Sequence, residues 1–242
     1  MRPRGRARSA ALGAAALAAA VVALPALAQD QPTTEPGPLD VRIKVTPKKA
    51  GTPRHPQPIK IKVDASPIPH NPTVEPIVDK GIIRLGKGVL WNGAKHPKCT
   101  ARILNQRGLG ACPKGSIFGR FSNGFVEPAR PTPKITLING GAKLAFAYMQ
   151  LTSPARVSLA LPIHIKRRSG KWAYRLSYDV PPALQVVAGV PISLTPAHGT
   201  IGQDDILVTT SCPRDGTWKY DSTITPLGGR SAKHAGTVAC RR

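Results

Sequence analysis

The residues in this chain that could do chemistry are mostly cations, and they come in tight groups. In the stretch VTPKKAGTPRHPQPIKIKV (residues 45–63) every charge is positive: Lys48, Lys49, Arg54, Lys60 and Lys62. Arg42 and Lys44 stand just before it, and Arg167, Arg168 and Lys171 form a second group in the segment RRSGK. Grouped cations without interleaved carboxylates attract anions, and each ion pair they form releases counterions. The whole chain carries 35 Lys and Arg against 12 Asp and Glu, a net charge of +23. Such a balance favours polyanionic partners, which include nucleic acid, anionic lipid and acidic wall or capsule polymers. It also serves plain solubility. No specific nucleic-acid motif is present to single out the first of these.

Other chemistry has little to build on. There is no HExxH, GxSxG, P-loop or strand–helix GxGxxG pattern, and no His followed by an S-x-G-C segment as an L,D-transpeptidase would need. The six histidines (His55, His70, His96, His164, His198 and His234) are scattered, each expected on a loop or an outer face. Asp204 and Asp205 are the only adjacent acids. Without a spaced third ligand they read as a solvated turn rather than a cation site. Glycoside hydrolysis needs two carboxylates at a set separation, and nothing in the sequence brings Glu127 and Asp179 together. The expectation is no catalytic residue, no metal and no cofactor.

Cys99, Cys112, Cys212 and Cys240 complete the reactive inventory. Their even number suits two disulfides in an oxidising compartment. Three pairings are possible, and Cys99–Cys112 with Cys212–Cys240 is preferred because each closes one short loop between neighbours. Gaps of 13 and 28 residues do not suit a zinc site. Each bridge is expected to contribute about 3 kcal/mol.

The start of the chain predicts the compartment. Arg2, Arg4, Arg6 and Arg8 precede an Ala-rich apolar run that closes on Ala26-Leu27-Ala28. A basic, an apolar and a small-x-small region in that order make a signal peptide over 1–28, and secretion follows. Its removal would take four arginines and lower the net charge from +23 to +19. No later segment reaches the length of a membrane span. Residues 29–39, QDQPTTEPGPL, are polar and Pro-rich and predict a disordered tether.

The elements that must position the cations read as β-strands. Val41, Ile43 and Val45 alternate with Arg42 and Lys44; Ile59, Ile61 and Val63 alternate with Lys60 and Lys62. This period of two predicts a hairpin with an apolar inner face and a basic outer one. Pro53, Pro56 and Pro58 should keep its connection out of any sheet. A second hairpin has Val157, Leu159, Leu161, Ile163 and Ile165 facing inward, opposite Trp172, Tyr174, Leu176, Tyr178 and Val180, with RRSGK as its tip. Asn92-Gly93, Asn123-Gly124, Asn139-Gly140 and Asp215-Gly216 are turn pairs, the last flanked by ILVTTSC and TWKYDSTIT. KLAFAYMQL is apolar on both faces and reads as a central strand. One short helix is predicted near 100–107, capped by Thr100 and stopped by Gly108. With 26 prolines and 23 glycines spread throughout, a helical bundle is excluded. The predicted fold is all-β: an antiparallel β-sandwich over 40–242, with a possible division near 130.

The segments WNGAKHPKC (91–99), ACPKGSIFG (111–119), NGGAK (139–143), SPARV (153–157), VVAGVPISLT (186–195) and TTSCP (209–213), with the late Cys240, resemble a group of secreted β-rich actinobacterial proteins with disulfides. The likeness spans about residues 40–242 and lies in turns, cysteines and strand edges. It implies a secreted, disulfide-bonded, β-rich chain and transfers no functional residue. Together these features lead to the expectation of a secreted, non-catalytic basic protein that binds anionic envelope or extracellular polymers, or anionic membrane surfaces. The alternatives are a structural module without a ligand and a hydrolase of an envelope polymer.

Overall fold

The computed structural model describes residues 39–67, 77–122, 133–192 and 197–242, with backbone alone at 39, 40, 66, 67 and 197. The expected signal peptide, residues 29–38, His70, the Asn123-Gly124 turn and Glu127 lie outside the described residues. Leu39, assigned above to the tether, is instead the first residue of a strand.

In chain order the elements are β1 (Leu39–Thr46), β2 (Gln57–Pro58), β3 (Lys60–Pro67), β4 (Val78–Gly86), β5 (Val89–Trp91), α1 (Ala101–Arg107), β6 (Ile117–Ser122), β7 (Lys134–Asn139) and β8 (Leu144–Leu151). Then come β9 (Val157–Arg167), β10 (Trp172–Asp179), α2 (Pro182–Gln185), β11 (Val186–Val187), β12 (Val190–Pro191), β13 (Ala197–Ile201), β14 (Leu207–Thr209), β15 (Thr217–Pro226) and β16 (Ala232–Ala239). Short 3-10 turns lie at Gly93–Lys95 and Leu109–Ala111. Among the described residues no helix is long and apolar enough to cross a membrane.

The β-rich expectation holds, but the architecture is not a sandwich. One antiparallel sheet of 11 strands runs in the order β1-β3-β13-β6-β7-β8-β9-β10-β4-β15-β16 and curls until its edges nearly meet. Beyond strand ends β1 and β16, Ala50 N–H donates to Arg241 O (2.8 Å) and Arg241 N–H to Lys48 O (3.0 Å). The Tyr220 hydroxyl donates to Val41 O (3.4 Å) across the seam. A sandwich buries each apolar stripe beneath a second sheet, whereas here the sheet buries its stripes against itself. Two devices suit that curvature. Bulges interrupt the pairing of β10 with β4, β15 with β4 and β6 with β7, and bulges add twist and bend. Three aromatic rings also stand opposite glycines: Tyr178 on Gly81, Phe121 on Gly199 and Tyr220 on Gly236. In each pair the ring occupies the space a β-carbon would need.

Both expected hairpins form, with Ile43 opposite Val63 and Leu176 opposite Ile165. The main core gathers Val45, Leu137, Leu161, Ile165, Tyr174 and Trp218 inside the barrel. As its two apolar faces predict, β8 is central: Ala145, Ala147 and Met149 face the main core. Its Phe146 and Tyr148 face outward and are covered by Leu104 of α1 and by Cys99. Helix α1 matches its sequence signals, since the Thr100 hydroxyl accepts from Ile103 N–H (3.3 Å) and Gly108 stops it at φ 75°. Both preferred disulfides are present, with Cα separations of 5.4 Å and 5.8 Å.

Several expectations need correction. A second short helix exists, α2, whose Leu184 packs into the main core beside Val180. The segments around Asp215-Gly216 do not pair with each other. Instead β14 lies between β2 and β5 in a separate three-stranded sheet, while β15 pairs with β4 and β16. Asn92-Gly93 opens a 3-10 turn rather than a hairpin. Pro58 does enter a sheet, at the edge strand β2, where a missing N–H is tolerated. The connection from 47 to 59 is therefore tied down: Ile59 is 2% exposed and its N–H donates to Leu207 O (3.0 Å). Trp172, expected inward, faces out. The β10 bulge between Trp172 and Tyr174 changes the strand's phase and places Trp172 opposite Gly86 rather than on the core face.

Candidate functional site: a cationic wall of the barrel

Cross-strand register turns isolated cations into rows. Lys44 of β1 faces Lys62 of β3, Lys62 faces Thr200 of β13, Thr200 faces Arg120 of β6, and Arg120 faces Thr136 of β7. One pleat along, Arg42, Asp64, His198 and Ser122 form a parallel row. Directly opposed residues share a face, and neighbouring strands lie about 4.8 Å apart. Because Ile43, Ile59 and Ile61 pack toward the core, Lys44, Lys60 and Lys62 point to water.

A groove of about 720 Å³ lies along this wall, lined by Lys62, Asp64, Arg120, Lys134 and His198, with Leu109 at its edge. Leu109 belongs to the turn that follows α1, inside the loop closed by Cys99–Cys112. The disulfide-bonded knob thus contributes to the lining of the groove. Lys62, Arg120 and Lys134 are exposed, and among the described residues none of the three has a carboxylate partner. The acid within the groove, Asp64, accepts from His198 Nδ1 at 2.7 Å, and both side chains are substantially exposed, 57% and 41%. An exposed pair of this kind contributes little to stability. Ser122 stands on the far side of His198 in the row, but no hydrogen bond joins them among the described residues.

The structure separates the residues that the sequence singled out. Arg42, Lys44, Lys60 and Lys62 lie on this wall, exposed. Lys48, Lys49 and Arg54 are exposed on the 47–59 connection, at the end of the barrel where β1 finishes. Arg167, Arg168 and Lys171 rise at that same end, from the β9–β10 turn. They lie across the barrel, with β13, β6, β7 and β8 between β3 and β9. The two basic tips therefore share an end of the barrel but do not line the groove. Sequence reasoning missed Arg120, Lys134 and His198. The alternation in IFGRFS and KITLIN signals outward cations, but β13 (AHGTI) is too short to declare itself.

Of the other acids, Asp205 and Asp215 have partners elsewhere, and Asp179 is exposed at the end of β10. Asp205 Oδ1 is 3.0 Å from His96 Nε2, at ion-pair distance without hydrogen-bond alignment. Asp204 and Asp205 both adopt positive φ, 52° and 51°, in the turn before β14. Asp215 pairs with Lys219 (2.6 Å), whose ammonium lowers its carboxyl below the usual range. Among the described residues no three His, Cys, Asp or Glu side chains gather where a metal ion could sit.

Compared with known family models, curated proteins and solved structures, the chain finds no match.

Proposed function

We propose that this is a secreted, non-catalytic protein that holds an anionic polymer of the cell envelope or its surroundings along the wall formed by β1, β3, β13, β6 and β7. The observation that carries this reading is the row Lys44–Lys62–Thr200–Arg120, with Lys134 lining the same groove and Asp64 as the acid in it. Like charges set side by side cost a fold a little. A flexible polyanion lying across the strands would meet several of them at once and release counterions with each contact. The reading needs no cofactor and no metal.

The test is binding of heparin or long-chain polyphosphate by the protein and by its K44Q/K62Q/R120Q variant over a series of salt concentrations. Tight binding that weakens steeply with salt is expected. In the variant the slope of log affinity against log salt should shrink by about 0.7 for each cation removed. Equal binding by both proteins would leave a structural module as the better reading.

A second reading, hydrolysis in the same groove, draws on the row Asp64–His198–Ser122. An acid, a histidine and a hydroxyl stand in the order that nucleophilic catalysis uses, with the acid–histidine contact made. Hydrolysis of an ester-linked envelope polymer that disappears in Ser122→Ala, while binding persists, would favour it.

A further inference from the structure

We propose a second anion site, separate from the groove, on the opposite wall where Lys166, Arg175 and Arg84 stand side by side on β9, β10 and β4. It would take a single tetrahedral oxyanion of the phosphate or sulfate type.

Register again makes the case. Lys166 of β9 faces Arg175 of β10, Arg175 faces Arg84 of β4, and Arg84 faces Asp221 of β15. Three cations thus stand on adjacent strands with one carboxylate in their row. Asp221 is fully engaged by Arg84: Nε donates to Oδ1 (2.7 Å) and Nη2 to Oδ2 (2.5 Å). The guanidinium of Arg84 also lies 4.9 Å from the centre of the Trp172 ring, which holds it in place. Arg175 receives no such partner. Its Nε is buried and makes no hydrogen bond among the described residues, although the residue is only half-buried as a whole. A buried guanidinium N–H left unmade is costly, more so beside like charges.

An oxyanion offsets the repulsion among these charges and gives the Arg175 guanidinium an acceptor. The outer edge of a guanidinium matches two oxygens of a phosphate or sulfate, and the ammonium of Lys166, one strand away, supplies a donor for a third. After Asp221 neutralises Arg84, the row retains two positive charges, which suits a dianion better than a carboxylate. Lys171 lies 4.9 Å from the Trp172 ring centre and adds its charge at the rim. The indole of Trp172 faces out beside the site, because the β10 bulge turned it there.

That indole reports binding. The N–H groups of Trp91 and Trp218 donate to Gly141 O (2.9 Å) and Ser211 O (3.0 Å), so their NMR signals should stay still. The experiment adds inorganic phosphate to the full secreted chain at constant ionic strength and follows the three indole N–H resonances. The expected result is a saturable shift confined to Trp172, reproduced by sulfate and absent with chloride. Arg175→Gln should weaken it about tenfold or more. If that variant does not fold, Lys166→Gln replaces it and should also weaken binding. K62Q/R120Q should leave the shift unchanged while reducing polymer binding, so the two sites can fail separately. Glucose 6-phosphate distinguishes the source: binding as tight as that of phosphate marks a carried monoester, and binding of phosphate alone marks the free ion. A linear response shared with chloride, or a saturable shift that survives both Arg175→Gln and Lys166→Gln, would overturn the assignment.

Discussion

Lys62 of β3 and Arg120 of β6 lie in one cross-strand row with Thr200 of β13 between them, although they are far apart in the chain. Neither side chain has a carboxylate partner among the described residues. The pair therefore belongs to the surface chemistry of the barrel and not to its stability.

Removing that charge should separate binding from folding. In K62Q/R120Q the unfolding free energy measured in urea should change by less than about 0.5 kcal/mol, as at other exposed positions. A loss of several kcal/mol would mean that the cations are structural.

Asn139 should behave in the opposite way. It is fully buried, and its Nδ2 donates to Gly93 O and Pro97 O, both at 2.9 Å. Its Oδ1 accepts from Gly141 N–H, also at 2.9 Å. This side chain fastens the 93–97 segment to the β7–β8 turn. Asn139→Ala leaves those buried groups without partners and should cost about 2–3 kcal/mol in urea unfolding.

The two disulfides should differ in what they protect. Cys99–Cys112 closes the α1 knob on the outside of the sheet, whereas Cys212–Cys240 ties the segment before β15 to the end of β16 beside the seam. Either loss should cost about 3 kcal/mol by loop entropy. Hydrogen exchange should rise mainly around α1 in C99A/C112A, and along β1 and β16 in C212A/C240A. Peptide mapping without reduction should recover the same two pairs, and a peptide joining Cys99 to Cys240 would contradict them.

Alkaline pH should loosen the barrel through Tyr178. Burial pushes its hydroxyl up to about 12, while an unfolded tyrosine ionises near 10. Between those values the native state keeps a proton that the unfolded state releases. Stability from this group is therefore complete below pH 10 and falls as pH rises toward 12. Absorbance titration of the folded protein should show Tyr178 and, through its own partial burial, Tyr220 ionising late, and Tyr178→Phe should flatten the alkaline decline.

The parts legible in the sequence were those that local patterning controls. A two-residue period decides which side of a strand is apolar, so the exposure of Arg42, Lys44, Lys60 and Lys62 followed before any fold was known. Thr100 and Gly108 carry their capping chemistry with them, and neighbouring cysteines pair where short loops allow. Which strands lie side by side is not local. Strand β13 enters between β3 and β6 from far along the chain, and only that insertion sets His198 against Asp64 and Lys62 in line with Arg120. Closing one sheet rather than stacking two depends on accumulated twist, which bulges and glycine–aromatic pairs adjust by single residues. A single extra residue in β10 shifts the phase of the strand, turning Trp172 from the core to the solvent beside Arg84. Alternation determines faces because it needs only the pleat; neighbours and phase needed the tertiary structure because they depend on pairing partners distant in the chain.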